Sequence, residues 1–233
     1  KLENKSFLCG VATDSHRLSS SSLEIDSKIN IEPIILPKKT IFQLILLLEQ
    51  SSGTIKISNN KSKIKFEING GVLISKVIDG RFPEYSKVIP KNNDKVLHIK
   101  LDEFRNSIDR VTTVSSDRTK GLKMNISKDA VQLSVNNPNS GEGIESLNAK
   151  FNASDLNISF NGRYLSDIAT QIENEFIVIN LKDSNSPVLI NDFSDKNSFY
   201  VVMPMKIWFI LLKDDIRLLL FFSLSNHLIP MTI

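Results

Sequence analysis

The sequence predicts an α+β fold in which helices gather on one face of antiparallel sheets, and three observations lead there. A unit of strand, helix and three strands occurs three times, with starts spaced by about 60 residues. Each helical stretch is short, with apolar residues at helical spacing. The strand runs are short and alternate apolar with polar residues, as half-buried antiparallel strands do.

Residues 7–13 and 17–25 alternate and are split by Asp14-Ser15, which predicts a hairpin. The first full unit opens with a strand at 34–36. Pro37 then suits a first helical position, and Ile41, Leu44, Ile45 and Leu48 fall at i, i+3, i+4 and i+7, with Lys38, Lys39 and Gln43 on the other face. Gly53 closes this helix, and strands follow at 54–57, 63–68 and 72–78. The second unit has a strand at 96–99, Asp102 as helix cap, and Phe104, Ile108 and Val111 on the buried stripe, with Arg105 and Arg110 elsewhere on the helix. Its strands are expected at 122–126, 131–135 and 144–151. The third begins at Leu156 and places Asn161 as cap, with Leu165, Ile168 and Ile172 buried; strands at 176–181, 187–190 and 199–203 complete it.

A chain of 233 residues has enough material for one large domain or two modest ones, each with a real core. The single cysteine, Cys9, excludes an internal disulfide framework and fits a reducing, cytoplasmic setting. The three histidines lie far apart, and no HExxH, CxxC, GxxxxGK[ST] or GxSxG pattern occurs, so no metal, cofactor or catalytic residue is expected. Asp14, Ser15 and His16 are consecutive and diverge along an extended chain, which excludes a hydrolase triad. With Lys+Arg 29 against Asp+Glu 26, the net charge of +3 excludes nucleic-acid binding by bulk charge. If the helix faces line a concavity, Lys38, Lys39, Arg105, Arg110 and Arg163 would supply a weak, sequence-independent field for phosphates.

Five segments resemble one family: VATDSHRLS at 11–19, KVIDGRFPEYSKVIPKN at 76–92, NNPNSGEGIE at 136–145, FNGRYLSDI at 160–168 and YVVMPMKI at 200–207. In this order they are similar to the beta subunit of bacterial DNA polymerase III, the DNA sliding clamp. The resemblance implies a two-subunit ring of three similar domains per subunit, threaded by double-stranded DNA, that catalyses nothing. DNA polymerase and clamp-loader subunits would dock on it by short peptides. It further implies that residues 1–94 correspond to the later part of the middle domain and 95–207 to the last domain, so that the first domain is missing here. Ring closure of the homodimer would fall near Thr113 and Val114, and without that first domain the ordinary closed ring is not expected.

The peptide pocket implied by the resemblance comprises Thr13, His16, Arg17 and Leu18; Pro83, Lys87 and Val88; Asn161 and Tyr164; and Val201, Met203, Pro204, Met205 and Lys206. Leu18, Val88, Val201 and the methionines would offer a deformable apolar surface, while His16, Arg17 and Tyr164 would fix a peptide backbone. Ser15 stands where the family usually has Gly, at a turn that favours positive φ. Residues 208–233 have no family counterpart. They carry too many charges, at Lys213, Asp214, Asp215 and Arg217, for a clean membrane span, and their Leu-Phe run would be an aggregation hazard if exposed. A shifted reading frame is the economical origin of this tail, and a helix docked on the pocket is the alternative. The same logic leaves open a product of a degraded or split clamp gene.

Overall fold

In the computed structural model the described residues are 6–25, 32–115, 121–192, 195, 197–205 and 217–223, the last set by backbone only. They fall into two units, one drawn from residues 1–14, 20–83 and 214–233 and the other from 15–19 and 84–213.

In the first unit β1 (Ser6–Thr13) leads into β2 (Arg17–Ile25), whose first three residues belong to the second unit. Then come β3 (Ile34–Leu36), α1 (Lys38–Glu49), β4 (Lys56–Asn59), β5 (Lys63–Ile68) and β6 (Gly71–Lys76). Ile34, Leu36, Ile64 and Phe66 form its core, with Ile41, Leu44 and Leu73 packed against it. The strands β4, β5 and β6 make an antiparallel sheet in that order.

The buried stripe of α1 differs from the expected one. Ile41 and Leu44 pack inward and Thr40 is buried, its hydroxyl 2.6 Å from that of Ser75, but Ile45 and Leu48 are 44% and 43% exposed. The segment IFQLILLL is apolar around most of its circumference, so the spacing alone does not choose a face. Contact with β5 and β6 does. The opposite side of α1 leaves Phe42, Ile45, Leu46 and Leu48 exposed.

The second unit contains two complete repeats. The first is β7 (Lys95–Lys100), α2 (Leu101–Thr112), β8 (Gly121–Ile126), β9 (Ala130–Asn137) and β10 (Gly141–Phe151). The other is β11 (Leu156–Asn161), α3 (Gly162–Ala169), β12 (Phe176–Leu181), β13 (Val188–Asp192) and β14 (Ser198–Val202). Strand order is β11-β8-β9-β10-β7-β12-β13-β14, so each repeat lends its first strand to the other's sheet. One core runs beneath both helices, from Phe104, Ile108 and Val111 to Leu165, Ile168 and Ile172. Asn161 is the N-cap of α3, its side-chain oxygen accepting from the Arg163 amide at 3.0 Å. Asp102 is not a cap: α2 starts directly after β7 at Leu101, and Asp102 lies in the first turn with Glu103, where a carboxylate suits the positive end of the helix.

Gly143 on β10 lies where α2 ends. A Cβ there would meet the Val111 carbonyl oxygen and Val114 Cγ2 at 3.1 Å, so a larger residue would require the end of α2 to give way by a few tenths of an ångström. The tail is not a helix where it is described. Arg217–Ser223 forms β15, antiparallel to β1 and β3, which excludes the docked-helix expectation for these residues. No helix among the described residues is long and apolar enough to cross a membrane.

Arg105 joins α2 to α3. Its Nε and Nη2 donate to the carbonyls of Ala169 and Ile172 at 2.6 and 2.7 Å, placing a cation on the orphan acceptors at the C-terminus of α3. Arg105→Ala is expected to destabilise the second unit by about 2 kcal/mol, the loss of charge-assisted hydrogen bonds at a half-buried site, measured as the shift of its urea transition.

Candidate functional site

The site is built where the segment after β14 meets the residues just before β2. Tyr200 and Val201 pair with Ile190 and Leu189 of β13, which delivers Val201 and Val202 into the interior and then releases the chain at Met203. Two main-chain bonds hold the released segment. The Met203 amide donates to the His16 carbonyl at 2.9 Å, and the Met205 amide donates to the Ser159 carbonyl on β11 at 2.7 Å. Pro204, between them, has no N–H, so this stretch leaves no backbone donor unpaired. Met203, Pro204 and Met205 are all half-buried, neither core nor fully exposed.

Ser15 gives the facing segment its direction. It has φ 71°, the one positive-φ non-glycine residue among the described residues, as expected for a position where the family usually has Gly. The chain turns there, exposes His16, and sends Arg17 and Leu18 toward the second unit. Leu18 is buried. The Arg17 guanidinium lies over the Tyr164 ring, 4.3 Å from its centroid, and its Nη1 donates to Asp167 Oδ2 at 2.6 Å. Tyr164 and Asp167 share one face of α3 because they are three residues apart.

Among the expected pocket residues, the second unit therefore brings together Arg17, Tyr164 and the Met203–Met205 segment, with His16 in the turn before β2, Leu18 on β2 and Asn161 capping the helix that carries Tyr164. Lys87 and Val88 lie at a 3-10 turn spanning Tyr85–Lys87; the Lys87 ammonium meets Glu84 at 2.6 Å, an exposed pair of small energetic weight. Asn93 ties the following segment down, donating to the Asn180 and Pro187 carbonyls, each at 2.9 Å. Thr13 ends β1 and Pro83 is exposed, both in the first unit. Lys206 lies outside the described residues. Asp167 and the Ser159 carbonyl were not anticipated. The i, i+3 spacing from Tyr164 carries a signal for Asp167, whereas a main-chain acceptor carries none.

Of the five cations expected to face phosphate, Lys38, Lys39 and Arg163 are exposed. Arg105 is bound to the α3 terminus. Arg110 is paired with Glu145, with Nε and Nη2 reaching its two oxygens at 2.7 and 3.1 Å. Hydrogen bonding to Arg110 holds the Glu145 carboxyl below the usual carboxylate range. Thr113 and Val114 end α2: the Thr113 hydroxyl donates to the Arg110 carbonyl at 2.7 Å, and the Val114 carbonyl accepts from Asn137 at 2.8 Å.

Ser15→Gly is expected to stabilise the protein by roughly 0.5–1 kcal/mol, since glycine carries no Cβ penalty at positive φ, read as a raised denaturant midpoint. A depressed folded-state value means that Glu145 contributes stability above its unfolded value and loses it as pH falls through the folded one. Arg110→Ala should return the Glu145 carboxyl titration, followed by NMR, to the ordinary carboxylate range and remove that acid-side contribution.

Residues 1–84 match the family described as DNA polymerase III beta subunit, central domain, and residues 86–206 match its C-terminal domain. The "Beta sliding clamp" of Caulobacter vibrioides (strain NA1000 / CB15N) is 34% identical over 201 residues, 86% of this chain and 54% of the relative. That of Escherichia coli (strain K12) is 30% identical over 197 residues, 84% of this chain and 54% of the relative. A crystal structure of a DnaN sliding clamp from Bartonella birtlesii bound to griselimycin superposes with a TM-score of 0.82 at 36% identity, over 88% of this chain and 58% of that one. The chain thus spans about half the length of the curated relatives it matches. Two consecutive family domains in family order, over a fold of the same α+β plan, lead to one conclusion: the chain belongs to the DNA polymerase III beta subunit family.

Proposed function

We propose that this chain serves as the peptide-docking part of a DNA sliding clamp, a binding protein of the bacterial cytoplasm without catalytic chemistry of its own. The occupants would be short segments of DNA polymerase and clamp-loader subunits that carry Leu or Phe side chains. The observation that carries this reading is the Met203-Pro204-Met205 segment, pinned at both amides, beside an arginine stacked on Tyr164 and oriented by Asp167. Half-buried thioethers adapt to branched or aromatic side chains, and a fixed guanidinium supplies donors for a peptide carbonyl. The Bartonella birtlesii relative is bound to griselimycin, which makes that compound a small-molecule probe to try on this chain.

Duplex DNA is a secondary partner in this reading. Lys38, Lys39 and Arg163 remain to meet phosphates, and a contact of this size is weak and steeply lost with salt. Thr113 and Val114 at the end of α2 are the proposed subunit edge of a homodimer. The alternative, a non-functional product of a degraded or split clamp gene, predicts no stable fold, and a cooperative melt of the chain would count against it.

The test is binding of fluorescently labelled griselimycin, and of a labelled Leu/Phe-bearing clamp-binding peptide, to the full chain by polarisation. Met203→Ala and Arg17→Ala are each expected to weaken binding about tenfold, the effect of removing one anchor worth about 1.4 kcal/mol. Absence of binding by the parent chain, or variants that bind as tightly as the parent, contradicts the proposal.

A further inference from the structure

The sheets beside α1 and α3 follow one plan, and the plan exposes a substitution. In the second unit the order is β11-β8-β9-β10, with β8 antiparallel to both β11 and β9. In the first it is β3-β15-β1-β2, with β15 antiparallel to both β3 and β1. Chain order agrees for three of the four places: β9, β10 and β11 lead into α3 as β1, β2 and β3 lead into α1. The fourth place differs. β8 immediately precedes β9, whereas β15 arrives from beyond β14, at the other end of the described chain.

We propose that the space between β1 and β3 is a binding site for an apolar β-strand, and that Arg217–Ser223 of the same chain is its occupant, a complementing strand seated where the second unit seats β8. The register is continuous on both sides. Phe7 to Thr13 oppose Ser223 to Arg217, and Ile34, Ile35 and Leu36 oppose Leu220, Leu219 and Leu218. Without this strand, β1 and β3 would each present a row of unpaired N–H and C=O groups beside buried side chains such as Val11 and Leu36. Strand addition satisfies both rows through main-chain bonds, and the apolar run LLLFF after Arg217 suits a strand flanked on both sides. The described part of the tail that the composition marks as an aggregation hazard, Arg217–Ser223, is thereby paired. This inference is independent of peptide docking at Met203–Met205, which involves other residues of the second unit.

The experiment is amide hydrogen exchange on the full chain and on the Leu218→Pro/Leu220→Pro double variant, since proline cannot donate to a ladder. Amides of β1 and β3 are expected to exchange roughly tenfold or more faster in the variant, and to regain protection when a synthetic peptide of residues 214–224 is added. Because the variant could unfold the first unit altogether, the full chain carrying Phe221→Cys provides a second measurement. Cys9 opposes position 221 in the register, and opposed positions share a sheet face, so mild oxidation should give an intramolecular disulfide. Leu220→Cys, opposite Gly10, should give none. Unchanged protection of β1 and β3, failure of the peptide to restore it, or a disulfide that forms only between two chains would overturn the proposal.

Discussion

The hydrogen bond from the Met203 amide to the His16 carbonyl is the constraint on which the candidate site depends. It joins residues nearly the whole chain apart, and it forms only because two local features bring them into line. Ser15 holds a backbone conformation that L-residues avoid, which turns the chain so that His16 presents its carbonyl and Arg17 its side chain to the same unit. On the other side, the β13–β14 ladder ends at Val202, so Met203 is the first residue whose amide is available to a partner outside that ladder. Pro204 then separates two donating amides without adding a third. Thioethers end up half-buried because their backbone is fixed while their side chains are not packed into the core.

The same economy of polar groups explains where the arginines go. Arg17 is shared between a ring face and a carboxylate, Arg105 satisfies the carbonyls of Ala169, the last residue of α3, and of Ile172 just beyond it, and Arg110 lies in a two-pronged pair with Glu145. Each solves a local problem that a lysine could not, because a planar fork reaches two acceptors at once. Arg105 and Arg110, which the helix pattern placed among the cations available to phosphate, thus also tie α2 to its neighbours in the second unit.

Much of this was legible in the residues. Alternation marked most strands to within a residue or two, Asn161 was readable as a cap, and the stripes Phe104-Ile108-Val111 and Leu165-Ile168-Ile172 are the ones buried. What was not legible has physical causes. The segment IFQLILLL offers apolar residues to every direction, so the face of α1 was set by β5 and β6 and not by its own period. Asp102 read as a cap because its residue type suits one, but β7 runs straight into α2 and the cap position falls on Lys100, whose side chain makes no cap hydrogen bond. The strand β15 was hidden because a short apolar run has no period that separates helix from strand, and its partners β1 and β3 lie at the far end of the chain. Among the candidate site residues, Arg17 and Tyr164 were expected but Asp167, which pairs with Arg17, was not.

Methionine methyl groups report on the central claim most directly, because Met203 and Met205 belong to the proposed site while Met124 is fully buried in the core of the same unit. With methyl-labelled methionine in the full chain, addition of a Leu/Phe-bearing clamp-binding peptide should shift the Met203 and Met205 resonances and leave that of Met124 in place. Resonances of Met203 and Met205 that stay fixed, or that move only together with Met124, would contradict the account.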